Sequence, residues 1–182
     1  MILILVYHDL LFTTHYSPFT IYEMLNTLKP IINIVTVVQA RTSSTRLPNK
    51  VLLSLAGKPL LLRLIERIKY AKLSGTVVVA TTTDISDDPI FNLCLQENIN
   101  VFRGHKTDLL GRHVGVGLKY DADVIVKIPS DCPLIDPKII NRVIKFFIDN
   151  QHHVDYVSNL HPATYPDGND VEAISFHALL LA

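Results

Sequence analysis

One stretch of the chain constrains its fold more than any other: a short apolar run that passes directly into a cationic, hydroxyl-rich loop. The run, residues 34–38, is β-branched and uninterrupted, which predicts a buried strand. The loop that follows, residues 39–50, carries Arg41, Arg46 and Lys50 and contains no acidic residue. A strand that opens into such a loop is suited to hold phosphate groups, so the sequence predicts a phosphate site here.

Runs of strand length alternate with amphipathic stretches of helical period along the rest of the chain. Further strands are predicted at 76–81, 100–102, 124–128, 156–158 and 171–176, and helices at about 61–71, 86–98, 108–120 and 136–147. This alternation predicts an α/β fold, a mainly parallel sheet with helices on both faces. Ligands of such sheets bind beyond the carboxyl ends of the strands. The loops expected to line a site are therefore 40–50, 81–88, 103–112 and 129–134.

The composition sets limits on the class of protein. With 182 residues and 48% hydrophobic content, the chain is long enough for one domain with a sizeable core. Its 17 basic and 17 acidic residues give a formal net charge of zero. A general nucleic-acid binder usually carries a basic excess, so no nucleic-acid partner is expected. Cys94 and Cys132 form neither a disulfide framework nor a zinc pattern, which indicates a reducing cytoplasm.

Residues 1–30 differ from the rest of the chain. They begin with an apolar run, but no basic residue precedes it, no cleavage site follows it, and it is too short to span a bilayer. The segment has no clear period and ends at Pro30. We interpret it as an N-terminal extension outside a domain formed by residues 31–182, with Met24 as a candidate true start. A weak membrane-associating segment is the alternative, and no membrane partner is expected for the domain.

Two common phosphate-binding signatures are absent. Gly57 and Lys58 suggest a P-loop, but Leu52 stands where that motif needs a glycine, and Pro59 replaces its serine or threonine. The turn after the first strand has no glycine, so the dinucleotide-binding fingerprint is absent as well. The sequence therefore disfavours ordinary NTPases and dehydrogenases.

Three acidic segments are candidates for binding a metal or a sugar. Residues 121–123 resemble a DxD motif, but they precede their strand, so a helix-to-strand turn is the favoured interpretation. Asp131 follows its strand; a lone loop aspartate is more often a turn-former, but the cationic loop opposite favours a ligand role. Asp170 and Glu172 are expected to alternate onto one face of a strand. There they could bind sugar hydroxyls or a metal, although a solvated strand edge is narrowly preferred.

Several ordered motifs together resemble one family. The segments Gln-Ala-Arg-x-x-Ser-Thr-Arg-Leu-Pro-x-Lys at 39–50 and Leu-Ala-Gly-Lys-Pro-Leu at 55–60 are similar to the nucleotide-binding signature of CMP-sugar synthetases. This group includes the acylneuraminate and KDO cytidylyltransferases. The sequence most resembles the SpsF-like branch, named for spore-coat polysaccharide biosynthesis. Further motifs of that branch match at 79–83, 87–89, 101–104, 108–112, 131–137, 158–159, 164–166 and 170–172.

The resemblance, which covers about residues 33–180, implies both a fold and an activity. The fold is a nucleotide-diphospho-sugar transferase fold of the Rossmann-like GT-A type. The activity is the transfer of CMP from CTP to a sugar or sugar acid, with release of pyrophosphate, for cell-surface polysaccharide. Such enzymes use Mg²⁺, and many are homodimers.

The resemblance also implies roles for individual residues. Arg41 and Lys50 are the expected catalytic cations on the triphosphate and the departing pyrophosphate, with Arg46 next. Asp131 is expected to hold Mg²⁺ through oxygen ligands, with Asp170 as a second ligand. The other expected nucleotide-binding residues are Ala40, Ser43, Ser44, Thr45, Thr81, Thr82 and Asp108, and the expected substrate-binding residues are Arg103, Arg112, Asn159, Asp170 and Glu172.

The chain departs from the family pattern in three places. Ser43 stands where many members have glycine, so this turn is expected to avoid a positive φ. His113 replaces an aromatic residue, a change expected to have no chemical consequence. The chain ends at Ala182, soon after the last matched strand, so a domain truncated at its C-terminus is expected. Two alternatives therefore stay open: a glycosyltransferase that uses a ready-made nucleotide sugar, and a non-catalytic nucleotide-binding fragment.

Overall fold

The computed structural model describes residues 32–44, 47–160, 162–163 and 165–182. The expected extension at residues 1–30 lies outside the described residues, as do Thr45 and Arg46 of the cationic loop.

The strands of the described residues form one large sheet and one small hairpin. They are β1 Ile34–Gln39, β2 Ser54–Leu55, β3 Lys58–Pro59, β4 Thr76–Thr82, β5 Asn100–Gly104, β6 Val124–Pro129, β7 Tyr156–Ser158 and β8 Glu172–Ser175. The large sheet has the order β5-β4-β1-β6-β8-β7, and β2 pairs with β3. Strands β5, β4, β1 and β6 are mutually parallel, whereas β8 is antiparallel to both of its neighbours. The predicted mainly parallel sheet is confirmed.

Helices cover both faces of the large sheet. They are α1 Leu60–Lys69, α2 Asp88–Gln96, α3 Leu109–Tyr120, α4 Pro137–Asn150 and α5 Phe176–Leu181. Leu64, Ile90 and Ile140 place α1, α2 and α4 in one core cluster, while Val116 and Leu179 place α3 and α5 in the other. The predicted helices on both faces are therefore confirmed. None of the helices in the described residues combines the length and the apolar character needed to cross a membrane.

The central position of β1 explains its uninterrupted apolar sequence. It pairs with β4 on one side and with β6 on the other, so both of its faces lie under helices. Val35 and Val37 belong to the cluster with α3 and α5, whereas Ile34 and Val38 belong to the opposite cluster. A strand that is buried on both faces has no position for alternating polar residues.

Helix α3 carries glycines where neighbouring aromatic rings approach its backbone. A Cβ atom at Gly117 would lie 2.1 Å from the Cε2 atom of Phe176, at the start of α5. A Cβ atom at Gly115 would lie 2.5 Å from the Cζ atom of Phe102 on β5. These two glycines allow α3 to pack closely against β5 and α5.

The turn between α3 and β6 confirms the interpretation of residues 121–123. Asp121 ends α3 in the left-handed conformation, with φ of 51°, a conformation that aspartate tolerates better than most residues. The Oδ2 atom of Asp123 accepts a hydrogen bond from the N–H of Asn33 at 2.8 Å. Both carboxylates lie at the amino end of β6, far along the strand from its carboxyl edge.

Several predicted strand boundaries differ from those of the structure by one or two residues, and two of the differences have a clear physical reason. The last strand was expected at 171–176, but β8 stops at Ser175, whose hydroxyl accepts the N–H of Ala178 at 3.2 Å and caps α5. The strand expected at 76–81 continues through Thr82, because its ladder with β5 extends to the pair of Thr82 and Gly104.

Candidate active site

A pocket of about 210 Å³ lies at the carboxyl-terminal edge of the sheet, beyond β1 and β6. The cationic loop, the first turns of α3 and the segment after β6 contribute to its wall. The lining residues are Gln39, Ala40, Arg41, Ser44, Lys50, Leu109, Arg112 and Ser130. Three of the loops that were expected at a ligand site thus meet in one pocket.

The backbone of the cationic loop is tied to the sheet and to itself. The N–H of Ala40 donates to the carbonyl of Ala80 at 3.0 Å, which continues the ladder between β1 and β4. The carbonyl of Thr42 accepts the N–H groups of Ser44 and Asn49, each at 2.9 Å. Asn49 has a left-handed φ of 57°, which asparagine tolerates better than most residues. The described part of the loop is therefore a defined turn.

Arg41 presents a cation on the outside of this turn. Its side chain is exposed, lines the pocket and forms no ion pair with any described residue. Ser43 is also exposed and avoids a positive φ, as expected for a serine at a glycine position. The hydroxyl of Ser44 accepts the N–H of Leu47 at 3.4 Å. Arg41 can therefore approach an anion without first leaving a carboxylate.

A buried carboxylate, Asp87, anchors the loop through hydrogen bonds to Thr42. Its Oδ1 atom accepts the N–H of Thr42 at 2.7 Å and the Thr42 hydroxyl at 2.8 Å. Its Oδ2 atom accepts the Thr82 hydroxyl at 2.5 Å. Burial alone raises the pKa of Asp87, but these hydrogen bonds hold it below the ordinary aspartate value. Asp87 was interpreted from the sequence only as part of a helix start, so its contact with the loop was missed.

Lys50, which lines the pocket, forms an ion pair with Asp131. The Nζ atom of Lys50 lies 2.5 Å from the Oδ2 atom of Asp131, and the two side chains are 23% and 46% exposed. The parallel pairing of β1 with β6 brings the two segments together, because each follows the carboxyl end of its strand. The structure thus places side by side a cation and a carboxylate that are 81 positions apart in the sequence.

Asp170 lies close to Asp131, in the segment just before β8. The expectation that Asp170 belongs to the strand itself is wrong, since β8 begins at Glu172. Burial raises the pKa of Asp170, and the charges of Asp167 and Asp131 raise it further. Burial raises the pKa of the Cys132 thiol to about 11, and the charges of Asp170 and Asp131 contribute to this increase.

Asp131 and Asp170 fit the donor preference of Mg²⁺. Both offer hard carboxylate oxygens, and a divalent cation between mutually repelling carboxylates would reduce their repulsion. The described residues contain no group of three or more His, Cys, Asp or Glu side chains suited to a metal. A Mg²⁺ ion held here would therefore rely on phosphate oxygens and water for most of its ligands, as is usual for this ion.

Gln39 lines the pocket and contacts His113 of α3. The side-chain amide of Gln39 donates to the carbonyl of Leu109 at 2.9 Å and lies 3.1 Å from the Nδ1 atom of His113. Burial lowers the pKa of His113, so the ring is neutral near pH 7. His113 thus contacts a pocket-lining residue, a role that sequence reasoning did not give it.

Three of the expected nucleotide-binding residues have structural contacts instead of open positions. Thr81 and Thr82 were placed in a loop, which is wrong: both are buried within β4. Asp108 is the N-cap of α3, and its carboxylate accepts the N–H of Gly111 at 2.7 Å. Thr82 therefore supports the loop through Asp87, whereas the buried hydroxyl of Thr81 has no hydrogen-bond partner among the described residues.

Two of the expected sugar-binding residues are also committed to structural contacts. Arg103 pairs with Asp88 at 2.7 Å and donates to the carbonyls of Thr82 and Asp84. Asn159 is buried, and its amide donates to the carbonyl of Asn169 at 2.7 Å. These contacts hold the ends of β4 and β8 in place, so neither side chain points to a direct role in binding.

Glu172 and Arg112 differ from those two residues in their surroundings. Glu172 accepts from Lys127 at 2.5 Å and from the hydroxyl of Tyr156 at 3.0 Å, in a polar cluster across β6, β8 and β7. Arg112 was expected to face the sugar, but the structure places it in the pocket wall together with Arg41. Arg112 was predicted to bind the sugar, but it lines the same pocket as Arg41 and Lys50, the two candidate phosphate-binding cations.

Several curated proteins are similar to this chain, and some of them are named as cytidylyltransferases. The chain is 40% identical over 127 residues to an uncharacterized protein of Methanocaldococcus jannaschii, a match that covers 70% of this chain and 51% of that protein. It is 33% identical to the spore coat polysaccharide biosynthesis protein SpsF of Bacillus subtilis (70% and 55% covered). It is 38% identical to 3-deoxy-manno-octulosonate cytidylyltransferase of Trichlorobacter lovleyi (65% and 46% covered). The chain spans about half the length of these curated relatives.

Solved structures show the same fold. A cytidylyltransferase from Leptospira borgpetersenii serovar Hardjo-bovis superposes with a TM-score of 0.79 at 33% identity, covering 82% of this chain and 63% of that one. A CMP:2-keto-3-deoxy-manno-octonic acid synthetase solved in complex with CTP superposes with a TM-score of 0.64 at 20% identity (81% and 76% covered), which supports the fold alone.

A family profile described as cytidylyltransferase matches residues 35–178. This span contains the cationic loop, Asp131 and Asp170. It also contains every strand of the large sheet, except for the first residue of β1. On this match and on the curated relatives above 30% identity, the chain belongs to the cytidylyltransferase family of nucleotidyltransferases.

Proposed function

We propose that this chain transfers CMP from CTP to a sugar or sugar acid and releases pyrophosphate. The observation that carries the proposal is the pocket lined by Arg41 and Lys50 at the carboxyl edge of the sheet, where Lys50 also forms an ion pair with Asp131. Attack of an acceptor hydroxyl on the α-phosphorus forms a new phosphate ester and breaks the bond to the bridging oxygen of pyrophosphate. Negative charge then grows on that oxygen, so cations placed beforehand stabilise the transition state.

Residues at different positions in the site are proposed to have different roles. Arg41 and Lys50 bind the triphosphate, and the backbone turn around Thr42 fixes their separation. Asp131 and Asp170 are the candidate Mg²⁺ ligands, and the ion when bound would neutralise phosphate charge and orient the triphosphate. Asp87 holds the loop in place without contacting the ligand.

The acceptor is proposed from the relatives and from the polar cluster beside the pocket. One matched relative is named 3-deoxy-manno-octulosonate cytidylyltransferase, and another is named as a spore coat polysaccharide biosynthesis protein. Glu172, Lys127 and Tyr156 present charged and hydroxyl groups suited to sugar hydroxyls. A sugar or sugar acid destined for cell-surface polysaccharide is therefore the proposed acceptor class. A cytoplasmic location and a homodimer accompany this proposal.

Pyrophosphate release from CTP in the presence of a panel of sugars and sugar acids tests the proposal. We expect Mg²⁺-dependent release that falls at least about a hundredfold in Asp131→Asn. Asp149→Asn, on the exposed face of α4, is the matched control and should keep full activity.

Two other results would replace the proposal. Transfer of sugar from a ready-made nucleotide sugar, without CTP, would indicate a glycosyltransferase. Binding of CTP with no turnover across the panel would indicate a non-catalytic nucleotide-binding domain, an outcome relevant to a chain that spans about half of its relatives.

A further inference from the structure

Arg112 is a buried cation without a carboxylate partner. It lies in the first turns of α3 and is only 2% exposed. No acidic side chain of the described residues lies within the 4.0 Å that defines an ion pair with it. Burying a charged group is costly unless that group is paired, so the charge of Arg112 calls for an anion that the protein does not itself supply at this distance.

The hydrogen bonds of Arg112 hold its guanidinium in one orientation. Its Nη1 atom donates to the carbonyl of His105 at 2.5 Å and to that of Lys106 at 3.0 Å. Its Nε atom is buried and has no hydrogen-bond partner. Such an unsatisfied donor is uncommon in folded proteins and is often explained by a bound ion or ligand.

The local packing keeps Arg112 beside the pocket. A Cβ atom at Gly104 would lie 2.7 Å from the Cγ atom of Arg112, so the stem of the arginine rests directly on the β5 backbone. Arg112 and Arg41 both line the pocket. Burial lowers the pKa of Arg112 and the like charge of Arg41 lowers it further, whereas the charges of Asp87 and Asp108 partly offset this decrease. An anion bound between the two guanidinium groups would relieve both effects.

We propose that Arg112 binds the phosphate chain of the nucleotide, as a cation supplied by α3 in addition to those of the loop. A phosphate oxygen is the ligand that fits, because guanidinium groups bind phosphate through charge-assisted hydrogen bonds. The nucleobase is the competing ligand, since Gln39 and Leu109 lie nearby. The identity of the nucleotide rests on the proposed function, whereas the phosphate contact does not.

Calorimetric titration with a series of ligands tests the assignment. The ligands are cytidine, CMP, CTP and inorganic pyrophosphate, and the proteins are the unmodified chain, Arg112→Met, Arg112→Lys and the control Lys119→Met. Lys119 is a cation of the same helix outside the pocket. We expect Arg112→Met to weaken CTP and pyrophosphate binding by about tenfold to a hundredfold, with cytidine unchanged. Arg112→Lys should recover part of the loss, and Lys119→Met should lose nothing.

A measurement on the unmodified chain covers the case in which Arg112→Met fails to fold. The Nε–H resonance of Arg112 should shift on addition of pyrophosphate and stay in place on addition of cytidine. Equal weakening of cytidine and CTP, or a resonance that responds to cytidine alone, would overturn the proposal in favour of a base contact. Unchanged affinities for all ligands in a folded variant would make Arg112 a structural cation.

The two proposals fail in different ways. If no acceptor supports pyrophosphate release from CTP but pyrophosphate binding still depends on Arg112, the proposed function fails and the phosphate contact stands. If CTP turnover is observed and replacing Arg112 leaves pyrophosphate binding unchanged, the phosphate contact fails and the proposed function stands.

Discussion

A single carboxylate oxygen of Asp87 accepts two hydrogen bonds from Thr42, one from its N–H at 2.7 Å and one from its hydroxyl at 2.8 Å. The other oxygen accepts the hydroxyl of Thr82 at the end of β4. The loop that carries Arg41 and Lys50 is therefore fastened to the neighbouring strand through a buried anion. Hydrogen bonds to an ionised acceptor are stronger than neutral ones, so the position of the two candidate phosphate-binding cations depends on this contact.

Replacing Asp87 with alanine is expected to lower both stability and nucleotide affinity. The change leaves Thr42 and Thr82 with unpaired buried donors, which should reduce the free energy of unfolding by about 3 kcal/mol. Affinity for CTP should fall because the loop loses its anchor. Urea unfolding and calorimetry measure the two effects. The control Asp149→Ala, which removes an exposed pair with Lys145, should cost about 0.5 kcal/mol and leave affinity unchanged.

The contribution of Asp87 should depend on pH with a definite sign. Its pKa in the folded chain lies below the ordinary 3.8, because the hydrogen bonds from Thr42 and Thr82 outweigh the effect of burial. The charged form is thus favoured by folding, so its contribution is present above pH 3.8 and is lost as the pH falls below that value. The stability difference between the unmodified chain and Asp87→Asn should shrink between about pH 7 and about pH 3 in urea titrations. A difference that grows on acidification would contradict this assignment.

The ion pair of Lys50 and Asp131 is expected to matter for activity and little for stability. Both side chains are partly exposed, at 23% and 46%, so water screens their attraction. A double-mutant cycle with Lys50→Met and Asp131→Asn should give a coupling free energy below about 1 kcal/mol in unfolding measurements. Each single change should lower pyrophosphate release about a hundredfold or more. A coupling of several kcal/mol with intact activity would make the pair a structural element instead.

The elements at the carboxyl edge were predictable because they depend on local sequence. The run at 34–38 was predicted as a buried strand because its apolar residues do not alternate with solvent-facing ones, and the structure confirms it. Asp131 could be assigned to the site because it follows a strand of a parallel sheet, whereas residues 121–123 precede one. Position along a strand was enough for these assignments.

Other features could not be predicted because they depend on which distant side chains meet. Arg103 was a reasonable sugar ligand from its motif, yet its guanidinium pairs with Asp88 across two neighbouring elements. Arg112 was assigned to the sugar for the same reason, and only the packing of α3 on Gly104 places it in the pocket. Asp87 gave a helix-start signal that hid its contact with Thr42. The available signal in the sequence was the pair Thr81-Thr82 at the end of a predicted strand, followed five residues after Thr82 by Asp87.

Both cysteines should resist alkylation in the folded chain. Cys94 and Cys132 are buried, and burial raises the pKa of each thiol to about 11. Only about one thiol in a thousand is then ionised at pH 8, and the thiolate is the reactive form. Mass spectrometry after brief iodoacetamide treatment should find no label without urea and two labels with it. Rapid labelling of the folded chain at either position would show that its side chain opens to solvent.

Replacing Gly117 with alanine should destabilise the chain, although alanine favours helices. Helix propensity alone predicts a gain of about 1 kcal/mol. The added Cβ atom would lie 2.1 Å from Cε2 and 2.5 Å from Cδ2 of Phe176, so the ring or α3 has to move. Overpacking of this kind lowers the free energy of unfolding by about 1–3 kcal/mol, so we expect it to outweigh the gain from helix propensity. Urea unfolding of Gly117→Ala and of the double variant Gly117→Ala, Phe176→Leu provides the test. The smaller leucine should restore part of the loss. A stabilised single variant would show that α3 and α5 are less closely packed than the structure indicates.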